Sequence, residues 1–237
     1  MIREEPTLTK DLNMNGELHN ESDYEDISRL GAKLGIPVPM MHLGVEVKNP
    51  DGTIVQHYNG RSHTWVRNFW NYMIASMAGV SPGTAYGVGT LGLKQTNGDV
   101  GNFNFYDGNA YPYLFNLQGN QNQTCGIVVG RGTTAESFEH SAMESIIPAG
   151  SNSTSLIFTQ NHTISPTYSN NKWTVTIVRQ FNGNATAPIT VTETGIIYRN
   201  ANDYKLLVCR DLLASAVVVP VNAQLTVTYQ LTLTFPA

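Results

Sequence analysis

Residues 224–235 read Gln-Leu-Thr-Val-Thr-Tyr-Gln-Leu-Thr-Leu-Thr-Phe, and the fold class follows from this stretch. Leu225, Val227, Tyr229, Leu231, Leu233 and Phe235 share one parity, while Gln230 and four threonines hold the other. Side chains alternate between faces along a strand, so this pattern buries one face and wets the other, and no helical winding does the same. Working upstream, residues 125–129, 156–162, 172–181, 189–198 and 204–210 form further apolar or alternating runs. Gly130-Arg131-Gly132, Pro148-Ala149-Gly150 and Asn182-Gly183-Asn184 punctuate them, and 137–147 is a polar segment with room for a helical turn. Short strands at regular turn spacing predict a mainly β fold, an antiparallel β-sandwich of jelly-roll or Ig-like type.

The first half adds three elements. Residues 42–48 and 53–58 flank Asn49-Pro50-Asp51-Gly52, a strong turn sequence, and predict a hairpin. Trp65, Val66, Phe69, Trp70, Met73, Ile74 and Met77 recur at helical period, predicting one covering helix over about 63–78 with this stripe facing the core. Ser62 or Thr64 is placed to cap its start and Gly79 its end. Residues 81–124 form a Gly/Asn/Tyr-rich loop, with 111–117 suited to a short strand and Tyr106, Tyr111 and Tyr113 as an interaction surface. Residues 1–38 hold few large apolar side chains and read as an extended N-terminal arm, either a loose tail or a segment ordered against a neighbouring subunit. The expected organisation is thus an arm over 1–38 and a single sandwich domain over 39–237.

Charged residues make up only 14% of the 237, against roughly 25% in an ordinary soluble domain, so the surface is weakly defended against association. Eight acids and four bases lie in residues 1–37, which accounts for the whole net charge of -4 and leaves the body neutral. A nucleic-acid binder would show a basic stripe instead. No run approaches the roughly 20 apolar residues of a membrane span. The charged start of the chain leads to an expectation of synthesis in a cytoplasm, and Cys125 and Cys209 read as buried free thiols.

Arg179 and Glu193 stand on the apolar parity of their strands, Arg179 beside Ile177 and Phe181, Glu193 beside Val191 and Ile197. If 172–181 and 189–198 pair as a hairpin, the two charges become neighbours and fix the register as a buried structural pair. Gly130-Arg131-Gly132-Thr133-Thr134 lacks the spacing of a phosphate loop and reads as a strand-ending turn. Glu136, Glu139 and Glu144 surround His140, as a solvated polar turn or as cation-binding or hydrolytic carboxylates. The histidines His19, His42, His57, His63, His140 and His162 form no ligand-spaced pair, and no serine sits in a nucleophile elbow. Neither enzyme activity, metal nor cofactor is expected.

Gly126-Ile-Val-Val-Gly-Arg-Gly-Thr-Thr-Ala-Glu-Ser, Ala142-Met-Glu-Ser-Ile-Ile, Glu193-Thr-Gly195, Arg210-Asp211 and Leu225-Thr-Val-Thr-Tyr together resemble a pattern of virion structural proteins of tailed bacteriophages. The resemblance covers about residues 125–235 and carries no catalytic residue. It implies a non-enzymatic, homo-oligomeric component of the head, neck or tail, made in the host cytoplasm and bound to itself and other virion proteins. The alternative is a carbohydrate- or receptor-binding module of a tail or head fibre, with the three tyrosines stacking on a host surface glycan.

Overall fold

The computed structural model describes residues 21–62, 65–101, 124–159, 163–184, 186–199 and 203–235. In chain order these are α1 (Glu21–Leu34), β1 (Val38–Lys48), β2 (Ile54–Arg61), α2 (Arg67–Ala78), β3 (Leu93–Lys94), β4 (Val100–Gly101), β5 (Gly126–Gly130), β6 (Leu156–Phe158), β7 (Thr163–Ser169), β8 (Lys172–Gly183), β9 (Ile189–Arg199), β10 (Lys205–Val219) and β11 (Gln224–Thr234). The fold is mainly β and its sheets are antiparallel.

The alternating stretch is the centre of the larger sheet, whose order is β2-β1-β11-β8-β6, with β7 also paired to β8. Register places Val227 between Val45 and Arg179, and Tyr229 between Leu43 and Ile177. Leu43, Val45, Val47, Ile177, Phe181, Leu225, Val227 and Tyr229 are therefore buried on one face, as period two demands. The expected pattern lapses beyond Tyr229, where Leu231 and Leu233 are half-buried, Phe235 is exposed and Thr232 is buried. The threonine face of β11 is half-buried at Thr226 and Thr228. The hairpin β1–β2 forms around its expected turn, with Gly52 at φ 87°, a left-handed position that glycine takes without strain.

A second sheet has the order β10-β9-β5. Inward side chains of both sheets belong to one core, which includes Ile127, Val129, Ile196, Tyr198, Leu206 and Val208 from the smaller sheet. That sheet is buried on its other side as well. Val128, Ile197 and Leu207 pack there with Val66 and Met143, which come from the entry to α2 and from the segment 131–147. Segment 131–147 contains turns rather than the expected helical turn, and its Ile147 and Arg131 amides extend the ladder along β5. Strand β9 can thus be apolar on both faces, which the sequence could not distinguish from one-sided burial.

Polar ties cross the main core. From β8, Arg179 Nη1 donates to the carbonyls of Cys125 (2.9 Å) and Ile127 (2.8 Å), at the edge of the smaller sheet. Its guanidinium lies 4.7 Å from the centre of the Phe158 ring. Burial lowers the Arg179 pKa to about 10, still high enough to keep the charge at neutral pH. From β11, the Tyr229 hydroxyl donates to Asp211 Oδ2 (2.9 Å) on β10, which also accepts from Ser62 Oγ (2.8 Å).

Three expectations are corrected. Residues 21–34 are helical rather than extended: Gly35 at φ 67° lets the Gly35 and Ile36 amides cap the last turn, and Lys33 sits there against the negative end of the helix dipole. Helix α2 starts at Arg67 with Val66 at its cap position, so the cap residue supplies no side-chain hydrogen bond, and Gly79 ends it in the left-handed conformation as expected; Thr64 lies outside the described residues. Its stripe meets the core only in part, through Trp65, Val66 and Phe69. Phe69, Tyr72 and Ala75 are buried, whereas Trp70, Met73, Ile74 and Met77 face outward. The tyrosines Tyr106, Tyr111 and Tyr113 and the strand expected at 111–117 lie outside the described residues.

Replacing Arg179 by Met leaves the Cys125 and Ile127 carbonyls without this donor inside the core. Arg179→Met is expected to lower stability by roughly 2–4 kcal/mol, read from the urea midpoint at unchanged slope.

Candidate functional site

Expected hairpin pairing of β8 with β9 does not occur. The chain leaves β8 at Gly183, and Asn184 turns it away: Asn184 Oδ1 accepts from the Thr186 and Ala187 amides, and its Nδ2 donates to the Ser155 carbonyl. Gly183 approaches the Pro220 carbonyl so closely that a Cβ has no room. This corner delivers β9 to the other sheet, so Arg179 and Glu193 do not pair. Both are buried, as their parity indicated, but on opposite sides of the smaller sheet. The reason is that Val191 packs in the main core and Ile197 in the outer one, and Glu193 turns outward with Ile197.

Glu193 has a different partner. Its Oε2 accepts from Arg210 Nε at 2.7 Å, with the Glu193 and Arg210 side chains 0% and 1% exposed. Its Oε1 accepts from the backbone amides of Gly132 (3.0 Å) and Ser145 (2.8 Å), and the Glu144 amide lies 3.4 Å from Oε2. The carboxylate is therefore held in a cradle of amides from two parts of the covering segment. Such a cradle explains Gly130-Arg131-Gly132. A Cβ on Gly132 would lie 2.5 Å from Glu193 Oε1, and one on Gly130 would collide with the same oxygen. The motif does cradle an anion, and that anion is the protein's own carboxylate.

Around this pair the remaining polar side chains are committed. Arg210 Nη1 donates to the Thr134 carbonyl (3.0 Å) and lies 3.2 Å from His140 Nδ1, while Nη2 reaches Glu144 at 3.5 Å. Glu144 Oε2 accepts the Thr133 and Thr134 amides, both at 2.7 Å, and these bonds hold its carboxyl below the ordinary carboxylate range. Glu136 accepts the Leu212 amide (2.6 Å), and Glu139 forms an ion pair with Arg67. The structure thus brings His140 and Glu144 to the pair and sends Glu136 and Glu139 to other duties. Thr192 and Thr194 add hydrogen bonds to the Gly132 and Val128 carbonyls.

Chemically, this arrangement anchors. Its central carboxylate is sealed from solvent, and every oxygen already receives donors. Among the described residues no group of His, Cys, Asp and Glu could hold a metal ion. Cys125 and Cys209 are buried and unbridged, with burial raising both thiol pKa values, so neither presents a thiolate. Among the described residues no helix is long and apolar enough to cross a membrane. His19, His63 and His162 lie outside the described residues. Comparison with known protein families, with curated protein sequences and with solved structures finds no match.

Sequence reasoning missed the roles of Arg210 and Asp211, which stand together in one strand with opposite fates. Arg210 faces the outer layer and Asp211 the main core, where it meets Tyr229. The available signal was two adjacent charges flanked by Leu206, Leu207, Val208, Leu212 and Leu213 in a chain poor in charge.

Removing one partner strands the other charge. Glu193→Ala is expected to cost about 3–5 kcal/mol, and Glu193→Leu combined with Arg210→Leu much less than the sum of the single changes, in a double-mutant cycle by chemical denaturation. A pH dependence follows from His140. Burial, reinforced by the Arg210 charge, lowers its pKa below the ordinary 6.5, because Nδ1 faces donors from Arg210 and from the Ser137 amide. The folded state disfavours the proton, so this contribution to stability is complete above pH 6.5 and declines as pH falls below it. His140→Gln should flatten the upper part of that decline in unfolding measured as a function of pH.

Proposed function

We propose that this chain is a structural component of a tailed-bacteriophage particle, built into the head, neck or tail as a homo-oligomer and carrying out no catalysis. The observation that carries this reading is the convergence of motifs. Of the five stretches that bear the resemblance, 126–137, 142–147, 193–195 and 210–211 meet at the Glu193–Arg210 pair, although up to 85 residues separate them in the sequence, while 225–229 lies in the larger sheet. Scattered short motifs gain weight when one structural purpose unites them, and here that purpose is to fasten a covering segment to a sheet. A sealed, fully bonded centre supports use as scaffold rather than as a substrate pocket.

Two further features support assembly. The chain is poor in charge, and large apolar side chains stand exposed on α1, on α2 and at the β7–β8 end of the larger sheet. We read the two sheets, six strands against three, as a β-sandwich of jelly-roll or Ig-like type. The partners are then other copies of the chain and neighbouring virion proteins, with assembly in the host cytoplasm.

In this reading residues 1–37, with α1 inside them, anchor the subunit to its neighbours. Deleting residues 1–37 is expected to abolish incorporation into particles while the remaining chain stays folded by circular dichroism. Incorporation at the wild-type level would overturn the anchoring role.

A further inference from the structure

Helix α2 carries apolar side chains on two sides, one against the body and one outward. A surface helix ordinarily turns its apolar stripe inward and its polar residues to water. Here the body-facing side holds two buried amides. Asn68 Nδ2 donates to the carbonyls of Lys94 (2.8 Å) and Leu207 (3.2 Å), and its Oδ1 accepts the Lys94 amide (2.9 Å). Asn71 Nδ2 donates to the Gly92 carbonyl at 2.8 Å. Phe69, Tyr72 and Ala75 complete that side. The helix is thus fixed to the body by these amides together with Phe69 and Tyr72, which pack in the main core. On the outward side Trp70, Met73, Ile74 and Met77 are 40%, 36%, 44% and 75% exposed, with Val80 at 42% just past the Gly79 cap. Their spacing of i, i+3, i+4 and i+7 is that of a seam between packed helices.

We infer that this seam joins two copies of the chain, α2 against α2 of a second copy across a two-fold axis near Met73 and Ile74. A two-fold contact sets a patch against itself, so the patch must be self-complementary. An uncharged apolar seam meets that condition, since no like charges are brought together. Arg67 is the one charged residue in the α2 sequence, and it is turned aside into its ion pair with Glu139. The same lack of charge gives an acidic or basic partner nothing to recognise. Trp and Met are residues that protein interfaces favour at their centres. Covered completely on both copies, the five residues would bring the contact to about 1,000 Å², the size at which specific interfaces begin.

This inference rests on the homo-oligomeric part of the reading above and assigns its contact surface, without needing the bacteriophage resemblance. Sedimentation of the full chain, alone and as Ile74→Glu, tests it, with far-UV circular dichroism confirming the fold of each. The wild type is expected to sediment as a dimer or a multiple of it, and Ile74→Glu, which is counted twice in the contact, to weaken the association at least about a hundredfold. Ile74→Cys or Met73→Cys is expected to form a disulfide-linked dimer on mild oxidation, a product that the buried Cys125 and Cys209 do not give. If Ile74→Glu associates like the wild type, or neither cysteine variant cross-links, the seam is not the contact and the homo-oligomeric reading stands without it. A monomeric wild type overturns both.

Discussion

The carboxylate of Glu193 is the point on which the rest of the structure depends. Withdrawn from water, a carboxylate needs both a countercharge and donors to each oxygen. Arg210 supplies the first, and amides of Gly132, Ser145 and Glu144 supply the second. These donors lie on the segment that covers the smaller sheet, so satisfying the charge and closing the outer core are one event. The same segment receives α2, through the Arg67 amide on the Phe138 carbonyl and the Arg67–Glu139 pair. A single buried charge therefore positions the cover, and the cover positions the helix.

Between the sheets the logic is similar but the partners differ. Arg179 spends its charge on backbone carbonyls at the edge of β5, and Asp211 accepts from Ser62 and Tyr229. Directional groups of this kind contribute less to net stability than equal apolar volume would, but they admit few alternative registers. In a core made mainly of Val, Leu and Ile, which slide past one another at little cost, such ties specify how the sheets meet. Burial and the nearby Asp211 charge raise the Tyr229 hydroxyl well above its usual range, so it stays a donor.

The outward seam of α2 belongs to a different level of organisation. Helix α2 buries Phe69, Tyr72 and two amides against the body and still presents a second apolar side outward, which a contact between copies would cover. Low surface charge points the same way, because little electrostatic repulsion opposes contact between identical surfaces.

Periodicity alone determined much of the fold. The alternation in 224–235, the Asn49-Pro50-Asp51-Gly52 turn and the Gly79 stop are local facts, and local sterics make them strand, hairpin and helix end whatever surrounds them. The burial of Arg179 and Glu193 was legible too, from parity. Their partners were not, because the corner at Gly183 and Asn184 sends β9 into another sheet, and only long-range packing reveals that. An apolar stripe at helical period does not say how much of it meets the body, which is why α2 misled. Likewise the glycines of 130–132 announced an unusual backbone, but the carboxylate they accommodate comes from a residue some sixty positions away. The sequence by itself determined the alternating strands, the hairpin turn and the burial of Arg179 and Glu193. Tertiary structure decided which charge meets which, because hydrogen bonds and ion pairs depend on distances that chain neighbours do not set.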